Sequence, residues 1–171
     1  GGLVVYLGYD AVRYIEPRLK NVPTADPITL PDLWLMLSKT VIVFDNLKDT
    51  LFLIVHADAE QSNAYNDAQQ KLDQLEQLLA TPVSLQAKPH TPPHFESITG
   101  KAKFLETVEK VKEYIRAGDV MQVVPGQRMV SEFDGEALQV YRALRHLNPS
   151  PYLFLVQGQT ITDKKPFHIV G

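Results

Sequence analysis

Cysteine is absent from the 171 residues. That excludes disulfides, a thiolate nucleophile and any zinc or iron–sulfur site built on cysteine. A basic excess is lacking as well: 17 Lys and Arg stand against 20 Asp and Glu, for a formal net charge of −3. A surface that neutralises many phosphates needs the opposite balance, so nucleic acid is not an expected partner. No apolar run approaches the roughly 18 residues of a membrane-crossing helix, and no signal peptide is visible. The expected setting is the cytoplasm, with no membrane partner. The glycines fit neither G-x-x-x-x-G-K-[ST] nor G-x-G-x-x-G, which removes two phosphate-cradling loops. What is present is 44% hydrophobic and 22% charged residues, too apolar for a disordered chain.

The apolar segments Leu3–Leu7 and Phe167–Val170 read as strands at the two extremes of the sequence. Strands placed there predict an excerpt of a longer polypeptide, because they leave backbone groups and apolar side chains without neighbours. Tyr9 to Ile15 predicts a short helix ended by Pro17. Val41–Phe44 and Leu51–Val55, flanking Asp45-Asn46-Leu47-Lys48-Asp49, predict a hairpin. Ala64, Ala68, Leu72, Leu75 and Leu79 form one apolar stripe over residues 61–80. A second helix is expected from about 101 to 117, with Gly118 as its C-terminal cap, and a third over 136–147. Strands are expected at Val120–Val124, resumed over Gln127–Phe133, and at Tyr152–Val156. The pattern is α+β rather than a repeating βαβ unit. Its expected organisation is a hairpin-rich part with one helix over 1–80, a proline-rich linker over 81–99, and a second part over 100–171.

Chemistry-bearing residues are sparse. His90 and His94 have a helix-face spacing, but Pro92 and Pro93 forbid a helix between them, so a solvated loop is expected. His56 and His168 fall at strand positions and are expected to be half-buried and hydrogen-bonded. Glu109 and Glu113 with Lys110 and Lys112 read as a solvated helix face with i, i+4 pairing. Gln122 differs, because strand alternation puts its amide on one face with Val120 and Val124. A buried amide without partners costs about 1–3 kcal/mol, so it must meet backbone, water or a ligand. In Asn148-Pro149-Ser150-Pro151-Tyr152, two prolines stiffen the entry of a large amphipathic ring into a strand. That corner is either a rigid turn or the edge of a small-molecule pocket.

Taken together, several segments resemble anthranilate synthase component I, a family of chorismate-utilising enzymes. They are Gly1–Asp10 with Val12–Glu16, Val43–Asn46, Tyr114–Val124 and Asn148–Tyr152. The resemblance covers nearly the whole chain in order. It implies part of a two-part α/β sandwich, incomplete here, with residues 100–171 starting the chorismate-binding domain. The implied reaction is ammonia addition to chorismate with loss of its hydroxyl, then pyruvate elimination to give anthranilate, the first step of tryptophan biosynthesis. Implied partners are chorismate, tryptophan as inhibitor and a glutamine amidotransferase subunit that supplies ammonia. Gln122 matches the position facing the chorismate pocket, where water-using relatives place a lysine base. Pro151, Tyr152 and Leu153 match the segment lining the tryptophan pocket, with Asn148 to Ser150 shaping its entrance.

The family's Mg2+ is held by glutamates that would follow a Gly-Ser-Ser-Pro-Glu stretch starting at Gly171, so no metal ligand is expected within this chain. The serine motif of the tryptophan pocket would precede Gly1. Val5, Gly126 and Leu153 depart from a usual glycine, serine and methionine. The Thr160–Lys165 loop is longer than usual. The chain alone is therefore expected to be inactive. Para-aminobenzoate synthase component I, or a non-catalytic domain sharing the fold, are the alternatives.

Overall fold

The computed structural model describes residues 2–22, 30–83 and 91–171. Pro23, Pro27, Pro89 and His90, part of the two proline-rich stretches, lie outside the described residues. The chain forms two compact units. One is Gly1–Leu85 with Val156–Ile169, and the other is Gln86–Leu155 with Val170–Gly171.

In the first unit, β1 (Gly2–Leu7) pairs antiparallel with β2 (Leu33–Ser38). The register sets Leu3 opposite Leu37, Val5 opposite Leu35 and Leu7 opposite Leu33. Period-2 alternation therefore gathers these six aliphatic side chains on one face, where each stays more than half exposed. The other face carries Val4 opposite Met36 and Tyr6 opposite Trp34. Both faces of this ribbon are apolar, the signature of a strand pair made to be covered on two sides.

After β1, a 3₁₀ turn (Tyr9–Ala11) runs into the short helix α1 (Val12–Ile15), as the sequence predicts, and Ala11 is buried. The expected hairpin forms from β3 (Thr40–Asp45) and β4 (Thr50–Val55), paired from Thr40–Val55 to Asp45–Thr50. Its turn is written in Asp45, whose carboxylate accepts the Leu47 and Lys48 N–H groups, both at 3.1 Å. Helix α2 (Ala64–Ala80) packs on β4 with Leu75 buried in its stripe. That burial stabilises the unit by about 2 kcal/mol. Strands β7 (Leu155–Gln159) and β8 (Pro166–Val170) pair through the loop at Thr160–Lys165.

In the second unit, β5 (Glu96–Ser97) pairs antiparallel with β6 (Met129–Val130). Between them run α3 (Lys101–Ala117) and an irregular connection, and α4 (Ala137–Leu147) follows β6. The charged pairs on α3 close at i, i+3 rather than the expected i, i+4: Lys103 to Glu106 at 3.0 Å and Lys112 to Glu109 at 2.8 Å. Every sheet among the described residues has two strands. Ala11 and Leu75 are the buried aliphatic side chains among them.

Three strand expectations change. Val120–Val124 is not a strand, the resumed strand shrinks to Met129–Val130, and the strand expected from Tyr152 starts at Leu155. A strand is completed by a partner's backbone, and no described segment pairs with 120–124. His56 and His168 are both exposed rather than half-buried. His56 sits just past the end of β4, where its backbone N–H donates to the Lys39 carbonyl at 2.8 Å and its ring Nδ1 hydrogen-bonds the same oxygen at 3.3 Å, as expected of a hydrogen-bonded side chain.

Candidate functional site

The segment carrying Gln122 begins where α3 stops. Gly118 takes a left-handed conformation (φ 82°), a region open to glycine because it has no Cβ. Its N–H donates to the Ile115 carbonyl at 3.1 Å, and the Asp119 N–H donates to the Tyr114 carbonyl at 3.0 Å. This paired closure satisfies two helix-end carbonyls and turns the chain sharply away from the helix axis. The connection ends at Arg128, whose carbonyl accepts the Ile98 N–H at 3.0 Å. Beside it, Ser97 Oγ donates to Gln127 Oε1 at 3.1 Å and accepts the Gly100 N–H at 3.0 Å.

Gln122 lies on this tethered connection, exposed, and its side chain makes no hydrogen bond to a described residue. Its neighbour Met121 is 98% exposed. The amide therefore carries no desolvation penalty in this chain, in contrast to the buried strand amide expected from the sequence. What the geometry leaves is a carboxamide with two donors and an acceptor, all open, on a segment fixed at both ends.

The second expected site starts at the end of α4. Asn148 leaves the helix at φ −142°, ψ 72°, and its N–H donates to the Leu144 carbonyl at 2.8 Å. Pro149 and Pro151 supply no N–H and hold φ near −65°, so the chain cannot resume a helix. A turn at Pro151 and Tyr152 leads to Phe154, which exchanges two hydrogen bonds with Gly171 at 2.7 and 3.1 Å. Tyr152 is 86% exposed, Pro151 is exposed and Leu153 is half-buried. Gln122 and Pro151–Leu153 belong to the same unit, but no hydrogen bond or ion pair among the described residues joins them.

Two clefts contain other residues. In the second unit, a cleft of about 1050 Å³ is lined by His94, Glu96, Glu132 and Asp134 among others. Among the described residues no three His, Asp or Glu side chains converge to hold a metal ion. In the first unit, a cleft of about 520 Å³ lies between Asp10, Arg13, Tyr14 and Asp32. There the Tyr14 hydroxyl donates to Asp32 Oδ2 at 2.6 Å. That bond and the Asp32 charge raise the Tyr14 pKa above its ordinary value. Arg13 Nε binds Asp10 Oδ1 at 3.0 Å, and its Nη1 donates to the Leu19 and Val22 carbonyls. Sequence reasoning missed the Tyr14–Asp32 pair, since 18 positions separate the partners and no local pattern links them.

Electrostatics are most pronounced in the β7–β8 loop. Thr160, 9% exposed, donates to Asp163 Oδ1 at 2.5 Å and accepts the Lys165 N–H at 2.9 Å. The Lys165 ammonium lies 2.7 Å from Asp163 Oδ2. Hydrogen bonds from Lys165 and Thr160 hold the Asp163 carboxyl down at a pKa of about 2, and Asp163 in turn raises that of Lys165.

Anthranilate synthase component 1 of Acinetobacter calcoaceticus is 79% identical over 171 residues, covering 100% of this chain and 34% of that protein. The protein of the same name from Saccharomyces cerevisiae is 34% identical over the full chain, again covering 34% of the relative. The crystal structure of anthranilate synthase component I from Streptococcus pneumoniae TIGR4 superposes with a TM-score of 0.76 at 30% identity, covering 95% of this chain and 37% of that one. The chain thus spans about a third of the length of the curated relatives it matches. Residues 2–166 match the family described as chorismate binding enzyme, and the chain belongs to that family.

Proposed function

We propose that this chain is part of an anthranilate synthase component I, which converts chorismate and ammonia to anthranilate and pyruvate as a lyase. The observation that carries this reading is the 79% identity with the Acinetobacter calcoaceticus protein of that name, maintained over every residue of the chain. The reaction belongs to the full-length protein, and the 171-residue piece alone is proposed to be inactive.

Gln122 is the residue proposed to meet the substrate pocket. Water is a weak nucleophile that needs a base to take its proton as it attacks, whereas neutral ammonia is nucleophilic enough to attack without one. A carboxamide cannot act as a general base, but it can accept a hydrogen bond from ammonia or donate one to a substrate oxygen. Its contribution is orientation of the reacting groups. Pro151, Tyr152 and Leu153 are proposed to line a regulatory pocket for tryptophan, where the Tyr152 ring offers a broad face and a polar tip. The Mg2+ of the family is proposed to be held elsewhere in the full-length protein, since no three His, Asp or Glu side chains converge among the described residues. A glutamine amidotransferase subunit as the ammonia source and a cytoplasmic setting complete the proposal.

The test is anthranilate fluorescence from the full-length protein given chorismate and ammonium. Anthranilate is the expected product. Accumulation of aminodeoxychorismate instead would move the chain to the para-aminobenzoate branch. Replacing Gln122 by Ala is expected to slow anthranilate formation about threefold to tenfold, the loss of one hydrogen bond in the transition state.

A further inference from the structure

The Gln122 connection is restrained at its far end by a side-chain pair that the proposed reaction does not use. Ser97 Oγ donates to Gln127 Oε1, which lies 30 positions along the chain, and accepts the Gly100 N–H. The adjoining β5–β6 ladder is only two residue pairs long, Glu96 with Val130 and Ser97 with Met129. The Ile98 N–H to Arg128 carbonyl bond extends it by one position, and there, among the described residues, the backbone bonding to this connection stops. The Ser97–Gln127 bond holds the next residue toward Gln122, Gln127, through its side chain. At the near end, the Gly118 closure does the corresponding work.

We infer that Ser97 is a positioning residue: its hydroxyl, bound to Gln127 and to the Gly100 N–H, fixes the connection that carries Gln122 and so aims the Gln122 carboxamide. This rests on the reading of Gln122 as a substrate-pocket residue. Catalytic geometry is sensitive to such support, since a displacement of about 1 Å from a distant change can cost up to about a hundredfold in rate. One hydrogen bond in the support is expected to matter less than the group it aims.

The experiment is a double-mutant cycle in the full-length protein, read as kcat and KM for chorismate. Ser97→Ala is expected to lower kcat about twofold to fivefold, with KM within about twofold. In the Gln122→Ala background, the same Ser97→Ala change is expected to lower kcat no further. Gln127→Met, which removes the acceptor, should reproduce Ser97→Ala and reports on the same pair if that variant folds poorly. Ser97→Thr, which keeps the hydroxyl, should restore the rate. An equal kcat loss from Ser97→Ala in both backgrounds, or no loss in either, overturns the inference while Gln122→Ala remains slow. A Gln122→Ala protein with an unchanged rate overturns the reading of Gln122 and this inference together.

Discussion

Gly118 permits a test in which one substitution at two sites should act in opposite directions. Its φ of 82° is a region where a Cβ meets its own carbonyl, at a cost of about 1–2 kcal/mol for alanine. A Cβ built on Gly118 finds no other atom within 4 Å, so the cost is the backbone's alone. Gly126, on the same connection, also has open space around a Cβ, but its φ lies outside the left-handed region. There, alanine only removes freedom from the unfolded chain and stabilises by about 0.4–1 kcal/mol. The unfolded-chain gain is common to both sites, so Gly118→Ala should lower stability on balance while Gly126→Ala raises it slightly, and the gap between them is the strain alone, about 1–2 kcal/mol. Gly118→Asn should fall between, because asparagine tolerates the left-handed region. Urea denaturation of the full-length protein, followed by circular dichroism, measures all three. Equal midpoints for Gly118→Ala and Gly126→Ala would refute the reasoning, since identical chemistry would then be indifferent to backbone conformation.

Other consequences are as direct. Thr160→Val keeps the shape but strips the hydroxyl from the Lys165 N–H and from Asp163, and should cost about 1–3 kcal/mol in the same denaturation assay. Asp163 titrates near 2 rather than 3.8, so its contribution is complete above about pH 4 and is lost as pH falls toward 2. Asp163→Asn should flatten the acid limb of a stability–pH curve in that window. The Tyr14 phenol, raised by Asp32, should ionise later than an ordinary tyrosine, and Asp32→Asn should bring it back in a spectrophotometric titration. Because the raised group loses its stabilising contribution as pH climbs above about 10, that variant should also be less sensitive to alkali. Tyr152→Ala should weaken tryptophan inhibition of the full-length enzyme, and an unchanged inhibition curve would remove Tyr152 from the regulatory pocket.

Features legible in the sequence were those whose causes are local. The stripe from Ala64 to Leu79, the Gly118 cap and the Asp45 turn depend on neighbours within a few positions, and the structure carries all three. The pairing of β1 with β2 does not, because either apolar strand would accept many partners and no local cue selects one. The error at Val120–Val124 has the same source. Its β-branched composition favours an extended chain, yet ladder bonds come from another segment, and none of the described ones supplies them. The expected burial of the two histidines failed by register, since a strand end or its outward face exposes a ring that composition alone would bury. Gln122 and Tyr152 stand out in the sequence as an amide in an apolar run and a ring after two prolines, but their roles rest on the resemblance of whole motifs, and their exposure alone would not assign them.

The ribbon of β1 and β2 has a practical outcome for anyone handling this polypeptide by itself. Leucine and valine side chains wet on one side, a tryptophan and a methionine on the reverse, and open backbone edges along its length make an adhesive surface. Self-association of the isolated piece is the expected consequence, and its soluble yield should rise when Leu35 is replaced by lysine at the centre of that face.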